Sequence, residues 1–250
     1  MKLPQELVEE IIGHLPPDDE ESLRNCSVVA KSWVRPSQKR LFEAVRITPQ
    51  NLQPWLDTIS PTNLELLRHV RQLSYSGYPK GALEPVHRAL RDYLPSLTQL
   101  RDFNFFYSHI LSPPQQIALF SAFQHTLSII RLESCHVTTN GFVTLINHFP
   151  NLSYLRIQTI NHIREDEPAT PLSRTIFKKL FVFVCLADTV VLLTELSNLG
   201  LCFEEVDMSN FLPKSTWPNF SKRIVELFGE SAKCLRIRGT FKGVCISCQQ

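Results

Sequence analysis

The stretch that decides the N-terminal fold reads Leu3-Pro4-Gln5-Glu6-Leu7-Val8-Glu9-Glu10-Ile11-Ile12-Gly13-His14-Leu15-Pro16. Pro4 stands where a first-turn residue needs no backbone N–H, and the glutamates that follow favour the positive end of a helix dipole. Leu7, Ile11 and Leu15 recur every four residues, which is the spacing of one helix face. The stretch therefore predicts an amphipathic helix with one apolar stripe, which ends at Pro16.

A second apolar pattern follows within the next thirty residues. Its members recur at three- and four-residue steps and are Leu23, Cys26, Ser27, Ala30 and Trp33. This spacing predicts a helix running through Trp33, after which further apolar residues close the segment at Ile47. Three short helical pieces in about 45 residues cannot bury a core sufficient for their own stability, so the segment needs a partner surface.

The order Leu-Pro-x-Glu-Leu, Ile, Leu-Pro, followed by Ser27 and by Trp33 six residues later, resembles an F-box over residues 3–47. The resemblance implies docking onto the Skp-family adaptor of an SCF-type, cullin-RING ubiquitin ligase. The expected adaptor-binding residues are Leu3, Pro4, Leu7, Ile11, Leu15, Leu23, Cys26 and Trp33. A simpler reading is that this segment is only the first layer of a larger domain, since apolar stripes at helical spacing usually form core.

The composition is that of an ordinary folded protein. Of the 250 residues 43% are apolar and 20% are charged, and the net charge is +2, so no overall field favours nucleic acid or an anionic membrane. Residues 1–22 hold seven acids and one base, whereas residues 24–46 hold six bases and one acid. Pairing between these helix faces is the favoured interpretation of that imbalance.

Several observations predict a cytoplasmic or nuclear protein. The longest apolar run, residues 180–187, has eight residues, far fewer than the roughly 20 that span a bilayer, and the N-terminus lacks the pattern of a signal peptide. Seven cysteines, an odd number scattered along the chain, fit reduced thiols better than a disulfide framework.

A short apolar-polar-apolar strand pattern recurs through the rest of the chain. Its copies are Val45-Arg46-Ile47, Leu73-Ser74-Tyr75, Phe103-Asn104-Phe105, Ile130-Arg131-Leu132, Leu155-Arg156-Ile157, Leu180-Phe181-Val182, Val206-Asp207-Met208 and Leu235-Arg236-Ile237. The steps between strand starts are 28, 30, 27, 25, 25, 26 and 29 residues. Helical patterns lie between the strands, at residues 55–68, 83–93, 115–123, 142–149, 190–199 and 220–227. This spacing predicts a curved solenoid with a parallel sheet and outer helices.

Leucines three residues before several strands make the pattern resemble Leu-x-x-Leu-x-Leu, the leucine-rich repeat. Examples are Leu127 and Leu152, which precede Ile130 and Leu155, and Leu97 precedes Leu100 at the same spacing. Cys135 occupies the position where such repeats place Asn or Cys. The resemblance is to F-box proteins of fungal type with degenerate repeats. It implies an α/β chain with a three-helix F-box at residues 1–47 and a leucine-rich-repeat-like substrate-binding domain at residues 48–250. An ordinary α/β sandwich remains open, since βαβ units also recur at about thirty residues.

Motifs for catalysis are not found in the sequence. It contains no glycine-rich phosphate loop, no Gly-x-Ser-x-Gly and no His-Glu-x-x-His. Cys245 and Cys248 have the spacing of half a zinc site, but no second half with matching spacing follows or precedes them. We therefore expect no enzymatic activity, no cofactor and no metal.

The residues between the strand leucines would line the concave sheet and set specificity. They are Arg46, Ser74, Asn104, Arg131, Glu133, Arg156, Gln158, Asp207, Arg236 and Arg238. Recurring arginine suits an acidic or phosphorylated protein segment, while solvated charges balanced by the acids among them explain the pattern equally simply. The predicted function is a substrate-recognition adaptor that holds an unknown protein target, and the alternative is a leucine-rich scaffold or inhibitor unconnected with a ligase.

Overall fold

The computed structural model describes residues 3–16, 19–48, 50–59, 61–76, 93–106, 109–110, 121–164, 171–173, 176–182, 187–210, 222, 225–227, 232–239 and 246–249. Three α-helices come first: α1 at Gln5–His14, α2 at Glu20–Val29 and α3 at Lys31–Leu41. Asp19 caps α2, because its carboxylate accepts a hydrogen bond of 3.1 Å from the backbone N–H of Ser22.

The prediction of one helix running through Trp33 is wrong. Ala30 has an extended backbone (φ −160°, ψ 156°), so α2 ends at Val29 and Trp33 lies on α3. Two consecutive β-branched residues, Val28 and Val29, precede the break, and β-branched side chains restrict the rotamers that a helix requires. The break lets α3 pack against both earlier helices.

Helix α3 carries a proline in its interior, and α1 compensates for it. Pro36 has no N–H, so the carbonyl of Ser32, four residues earlier, loses its helical partner. The side-chain amide of Gln5 donates a hydrogen bond of 3.3 Å to this carbonyl. This contact joins α1 to α3.

The three helices enclose a small core of their own. Val8, Ile12 and Leu23 are fully buried there. Partly buried residues that pack around them are Leu15, Cys26, Trp33 and Leu41. This core has three fully buried side chains, and the instability of the isolated segment stays a prediction.

The described remainder is built on one sheet of ten strands. The strands are β1 Ala44–Ile47, β2 Gln72–Ser76, β3 Asp102–Phe106, β4 His109–Ile110, β5 Ile129–Thr138, β6 Tyr154–Ile163, β7 Ile176–Val182, β8 Cys202–Asn210, β9 Cys234–Gly239 and β10 Ile246–Gln249. Strand order follows the chain, except that β4 pairs with β5 off the main path. All of these strand pairs are parallel except the last, in which β10 runs antiparallel to β9.

All eight predicted strand triplets lie in strands, and their first residues are aligned in register. The aligned row is Val45, Leu73, Phe103, Ile130, Leu155, Leu180, Val206 and Leu235. Because side chains alternate along a strand, this alignment places the middle residues of the triplets in a second row on the opposite face. The protein is thus a mixed α/β chain with N-terminal helices and a parallel sheet.

The apolar face of the sheet supplies the main core. In each repeat from β2 to β8 the three apolar residues at spacing Φ-x-x-Φ-x-Φ are buried, as in Leu127, Ile130 and Leu132. Helices α5 (Thr139–His148) and α6 (Ala187–Asn198) add further buried side chains to this core. Both helices agree with the patterns at residues 142–149 and 190–199.

Other helix predictions fare differently. Residues 55–68 do not form one helix: α4 spans Leu52–Thr58, and a 3-10 helix spans Pro61–His69, where Pro61 prevents continuation. Two further short 3-10 helices are Leu94–Ser96 and Ser121–Phe123. The patterns at 83–93, 115–123 and 220–227 lie mostly outside the described residues.

The helical segment and the sheet meet between α3 and β1. Leu41 packs into the small core, whereas Phe42 packs against the main one. Strand β1 pairs with β2, so residues 44–47 belong to the sheet and the predicted boundary at residue 47 falls one strand later than this transition.

Among the described residues, no helix is long and apolar enough to cross a membrane.

Candidate functional site

Helix α1 exposes apolar side chains on the face that points away from the small core. Leu7 is 45% exposed and Ile11 is 44% exposed, and Leu3, two residues before the helix begins, is 51% exposed. We call these three residues the outer stripe. Val8 and Ile12 occupy the buried face, so α1 is apolar on two sides rather than one. An apolar row left in solvent at the end of a folded chain is typical of a surface that binds another protein.

The predicted adaptor-binding residues divide between surface and core. Pro4 is exposed with the outer stripe, whereas Leu23 is fully buried and Leu15, Cys26 and Trp33 pack partly inside. The predicted single stripe of Leu7, Ile11 and Leu15 is therefore split, with Leu15 turned toward the core. Leu23 has no surface to offer a partner and can affect binding only by supporting the helices.

Two exposed apolar residues escaped the sequence analysis. Val28 is 82% exposed and Val29 is 65% exposed at the end of α2. The three- and four-residue spacing selected Ser27 and Ala30 and passed over the two valines. Two adjacent valines at the end of a predicted helix could have indicated an exposed apolar surface. They enlarge the apolar surface that the helical segment presents.

Comparison with protein families bears on this segment. The F-box domain matches residues 1–35. The match covers α1, α2 and the start of α3, which are the elements that form the small core and the outer stripe. F-box domains typically dock on Skp adaptors in SCF ubiquitin ligases. The comparison with curated proteins found no match to the chain.

The sheet presents a second candidate surface on the face opposite the main core, which we call the open face. Its middle row, defined by strand register, contains Arg46, Ser74, Asn104, Arg131, Arg156, Phe181, Asp207 and Arg236. The substrate-binding residues expected from the sequence thus occur on neighbouring strands. Glu133 and Gln158 are aligned with each other one position further along the same face.

Arg131 is already bound to a carboxylate of its own chain. Its guanidinium donates to both carboxylate oxygens of Asp102, with Nε at 3.0 Å from Oδ1 and 3.1 Å from Oδ2. Asp102 is nearly buried, and Arg131 is about one-third exposed. This fork-to-fork geometry fixes the arginine and leaves it less available to an acidic ligand than its position alone indicates.

Aromatic rings lie beside other cations of the open face. The Arg46 guanidinium lies 5.4 Å from the ring centre of Phe106, and Arg156 lies 5.2 Å from that of Phe181. Lys179 lies 6.0 Å from the Tyr154 ring. Cations at these distances from a ring face are attracted by its quadrupole. The open face is consequently a mixed aromatic and cationic surface, not a plane of arginines alone.

The remaining expected residues differ in accessibility. Asp207 is buried, Arg236 is exposed, and Glu133 and Gln158 are half-buried. The side chain of Arg238 lies outside the described residues, although its backbone belongs to β9. Among the described residues, no group of three or more His, Cys, Asp or Glu side chains could hold a metal ion.

A partly buried polar network links α5, β6 and α6. The hydroxyl of Thr139 lies 2.9 Å from Nε2 of His162 and donates to the carboxylate of Glu195. The backbone N–H of His162 donates to Asp188 at 3.3 Å. Thr139 and the His162 ring are buried, whereas the Glu195 side chain is 39% exposed, so the network connects the helices to the sheet and reaches the surface at Glu195.

Proposed function

We propose that this protein is a substrate-recognition adaptor of an SCF-type ubiquitin ligase. The observation that carries the proposal is the outer stripe: three large apolar side chains, two on α1 and one just before it, remain exposed within the F-box match. The adaptor would bind a Skp-family protein, and through it a cullin, at α1. It would contribute proximity between a target and the ubiquitin-transferring enzymes, with no catalysis of its own.

The energetics of the outer stripe fit such docking. Burying one Leu or Ile side chain contributes about 1.5–3 kcal/mol, and association opposes this with the loss of translational and rotational freedom. Each of the three residues is already partly covered, so each supplies less than the full amount. The stripe alone therefore supports modest affinity, and Val28 and Val29 are candidates for the additional contact area.

We further propose that the sheet is a degenerate leucine-rich-repeat array of fungal type. Sequential parallel strands with aligned apolar residues support this interpretation, because a doubly wound α/β sandwich changes direction along its strand order. The thiol of Cys135 supports it too: Sγ lies 3.3 Å from the backbone oxygen of Phe105 on the neighbouring strand. A side chain that bonds to the backbone of the preceding repeat is what this position requires in such arrays.

The open face is the proposed target-binding surface. Arg46 and Arg236 are exposed, Arg156 lies against Phe181, and Arg131 is held by Asp102. A protein segment that offers both acidic and apolar side chains would match this surface, since cations and half-buried rings alternate on it. Glu133 and Gln158, which are half-buried, would contribute polar contacts, and the buried Asp207 would act by holding its neighbours in place. Arg238 belongs to the same proposal.

The adaptor proposal is tested with a double substitution on the outer stripe, Leu7→Asp with Ile11→Asp, in the full chain co-expressed with a Skp adaptor. Both side chains are exposed, so the helices should fold normally while two charges oppose docking. We expect co-purification of the Skp adaptor to fall by more than about tenfold, since burying even one unpaired charge costs more than 1.4 kcal/mol.

The matched control is Val225→Asp, since Val225 is 49% exposed and lies far along the chain from the F-box match. It should leave co-purification unchanged. Full retention of the Skp adaptor by a folded Leu7→Asp, Ile11→Asp protein would overturn the proposal and favour a leucine-rich scaffold or inhibitor.

A further inference from the structure

A cleft of about 480 Å³ lies where α1 and α3 meet the beginning of the sheet. We call it the junction cleft. Its wall carries four cationic side chains, Arg35, Lys39, Arg40 and Arg71, and two carboxylates, Glu9 and Glu43. These residues come from three separate parts of the chain, so the fold itself concentrates the positive charge.

Internal pairing satisfies only part of this charge. Glu43 binds Arg40 and also Arg71, whose Nη1 lies 3.2 Å from Oε1. The Nε of Arg40 donates in addition to the backbone oxygen of Leu15 at 3.0 Å, which holds its guanidinium in place. Within the part of the chain that the structure describes, Arg35 and Lys39 form no salt bridge.

This arrangement contrasts with the pairing expected from the sequence. The acidic residues 1–22 and the basic residues 24–46 were expected to neutralise each other. Among the described side chains, the salt bridge between these two sets is Arg24 with Glu20, within α2. The excess positive charge of α3 remains on the wall of the junction cleft.

The pKa of His69 responds to the charges that line the cleft. It lines the junction cleft and a second pocket beside it, which also contains Arg35, Lys39 and Glu65. Burial lowers the pKa of His69, and the charges of Lys39, Arg35 and Arg71 lower it further against the opposing effect of Glu65. Burial and the neighbouring cations thus both disfavour the protonated imidazole, and an anion in the cleft would oppose the effect of the cations.

We propose that the junction cleft binds a phosphate-type dianion, either free or carried by a phosphorylated protein side chain. Four cations against two carboxylates leave two positive charges for the ligand to balance. The guanidinium groups and the lysine ammonium can donate hydrogen bonds to the oxygens of a tetrahedral phosphate. A ligand with one carboxylate would balance only one of the two positive charges. Arg40 and Arg71, already positioned by Glu43, would bind with little loss of side-chain entropy.

The site is separate from the outer stripe and does not depend on adaptor docking. Glu9 follows Leu7 by two residues, which turns it by about 200° around the helix axis. The junction cleft and the part of the outer stripe that lies on α1 are therefore on opposite sides of this helix.

The test is a titration of the full chain with sodium phosphate, followed by the NMR signal of the His69 ring and by calorimetry. We expect saturable binding at millimolar phosphate and a rise in the His69 pKa. The double variant Arg35→Gln, Lys39→Gln should weaken binding at least about tenfold, because two charge-assisted contacts are lost. A matched control, Arg24→Gln with Lys233→Gln, removes the same charges from exposed sites elsewhere and should change nothing.

A second titration identifies the source of the phosphate. If the tripeptide Gly-phosphoserine-Gly binds more tightly than inorganic phosphate and Gly-Ser-Gly does not bind, the ligand is a phosphorylated segment. Tighter binding of inorganic phosphate supports a free anion. Absence of a saturable change at His69 in the wild-type protein, or equal weakening by the control variant, would overturn the proposal.

Discussion

Asp102 shows how one residue determines what a neighbouring strand can present. Both oxygens of its nearly buried carboxylate accept hydrogen bonds from Arg131, which lies on the neighbouring strand. Removing the negative charge would leave the guanidinium without its partner in a partly desolvated position. The pair therefore contributes to stability as well as shaping the open face.

We expect Asp102→Asn to lower the free energy of unfolding by about 1.5–3 kcal/mol, the range for a lost hydrogen bond to a charged group. Urea denaturation at neutral pH measures this. Glu20→Gln is the control, because it breaks the Arg24–Glu20 bridge, whose side chains are 73% and 67% exposed, and should change stability by less than about 0.5 kcal/mol. Equal losses in the two variants would contradict the reading of Asp102.

The same residues mark a limit of sequence analysis. The alternation of apolar and polar residues was sufficient to place Arg131, Arg156 and Asp207 on one face, because side chains alternate along any strand. It could not show that Arg131 binds Asp102 or that Phe181 lies beside Arg156, since these contacts join residues 29 and 25 positions apart. Pairwise chemistry depends on strand register, which the pattern alone does not fix.

At the scale of elements, β5 and β6 share a bend that positions Cys135. Ser134 and Thr159 both have φ of 54°, and they lie between aligned neighbours on the two strands. After this bend the thiol of Cys135 reaches the Phe105 backbone oxygen from a fully buried position. The bend repeats at the same place in two strands, so it belongs to the repeat and not to one residue.

We expect position 135 to tolerate a polar asparagine although Cys135 is fully buried. Asn at position 135 could donate its amide hydrogens to the Phe105 oxygen, so Cys135→Asn should cost less than about 1 kcal/mol. Val137→Asn places the same amide at a fully buried position two residues later, and we expect a loss of about 3 kcal/mol from the unpaired polar group and the lost packing. Thermal and urea denaturation of both variants provide the comparison.

Similar losses in the two variants would show that position 135 is an ordinary core site and would weaken the leucine-rich-repeat proposal.

The sequence pattern predicted the helices well where they are continuous, as in α5 and α6. It failed at α2, where Ala30 breaks the chain, because three- and four-residue spacing continues across the break and only the valines before it indicate a stop.

At the scale of the whole molecule, one column of aromatic rings joins successive repeats. Phe123 stacks on Phe103 at 6.0 Å between ring centres and on Phe149 at 6.3 Å. The sequence shows these phenylalanines at irregular intervals, so their common column follows from the alignment of the repeats. His148 adjoins the column, with its ring edge-on to Phe149 at 5.0 Å.

His148 couples this core to pH. Its Nε2 is buried and has no hydrogen-bond partner among the residues that the structure describes, and burial lowers the pKa of its imidazole below the ordinary value of 6.5. Unfolding restores that value, so below about pH 6.5 the unfolded chain binds more protons at this site than the folded one. Stability contributed by the neutral ring is thus complete above that pH and is lost as the pH falls toward the folded-state pKa.

We expect the free energy of unfolding to decrease between pH 7.5 and 5.5, with a contribution from His148 of no more than about 1.4 kcal/mol per pH unit. Urea denaturation at both values measures the change. His148→Phe removes the titrating group while keeping a ring beside Phe149, so its stability should fall less over the same interval. His125→Phe, at an exposed site, is the control and should retain the wild-type slope. An undiminished slope in the His148 variant would mean that other groups carry the pH dependence, because a histidine that titrates alike in both states cannot affect the folding equilibrium.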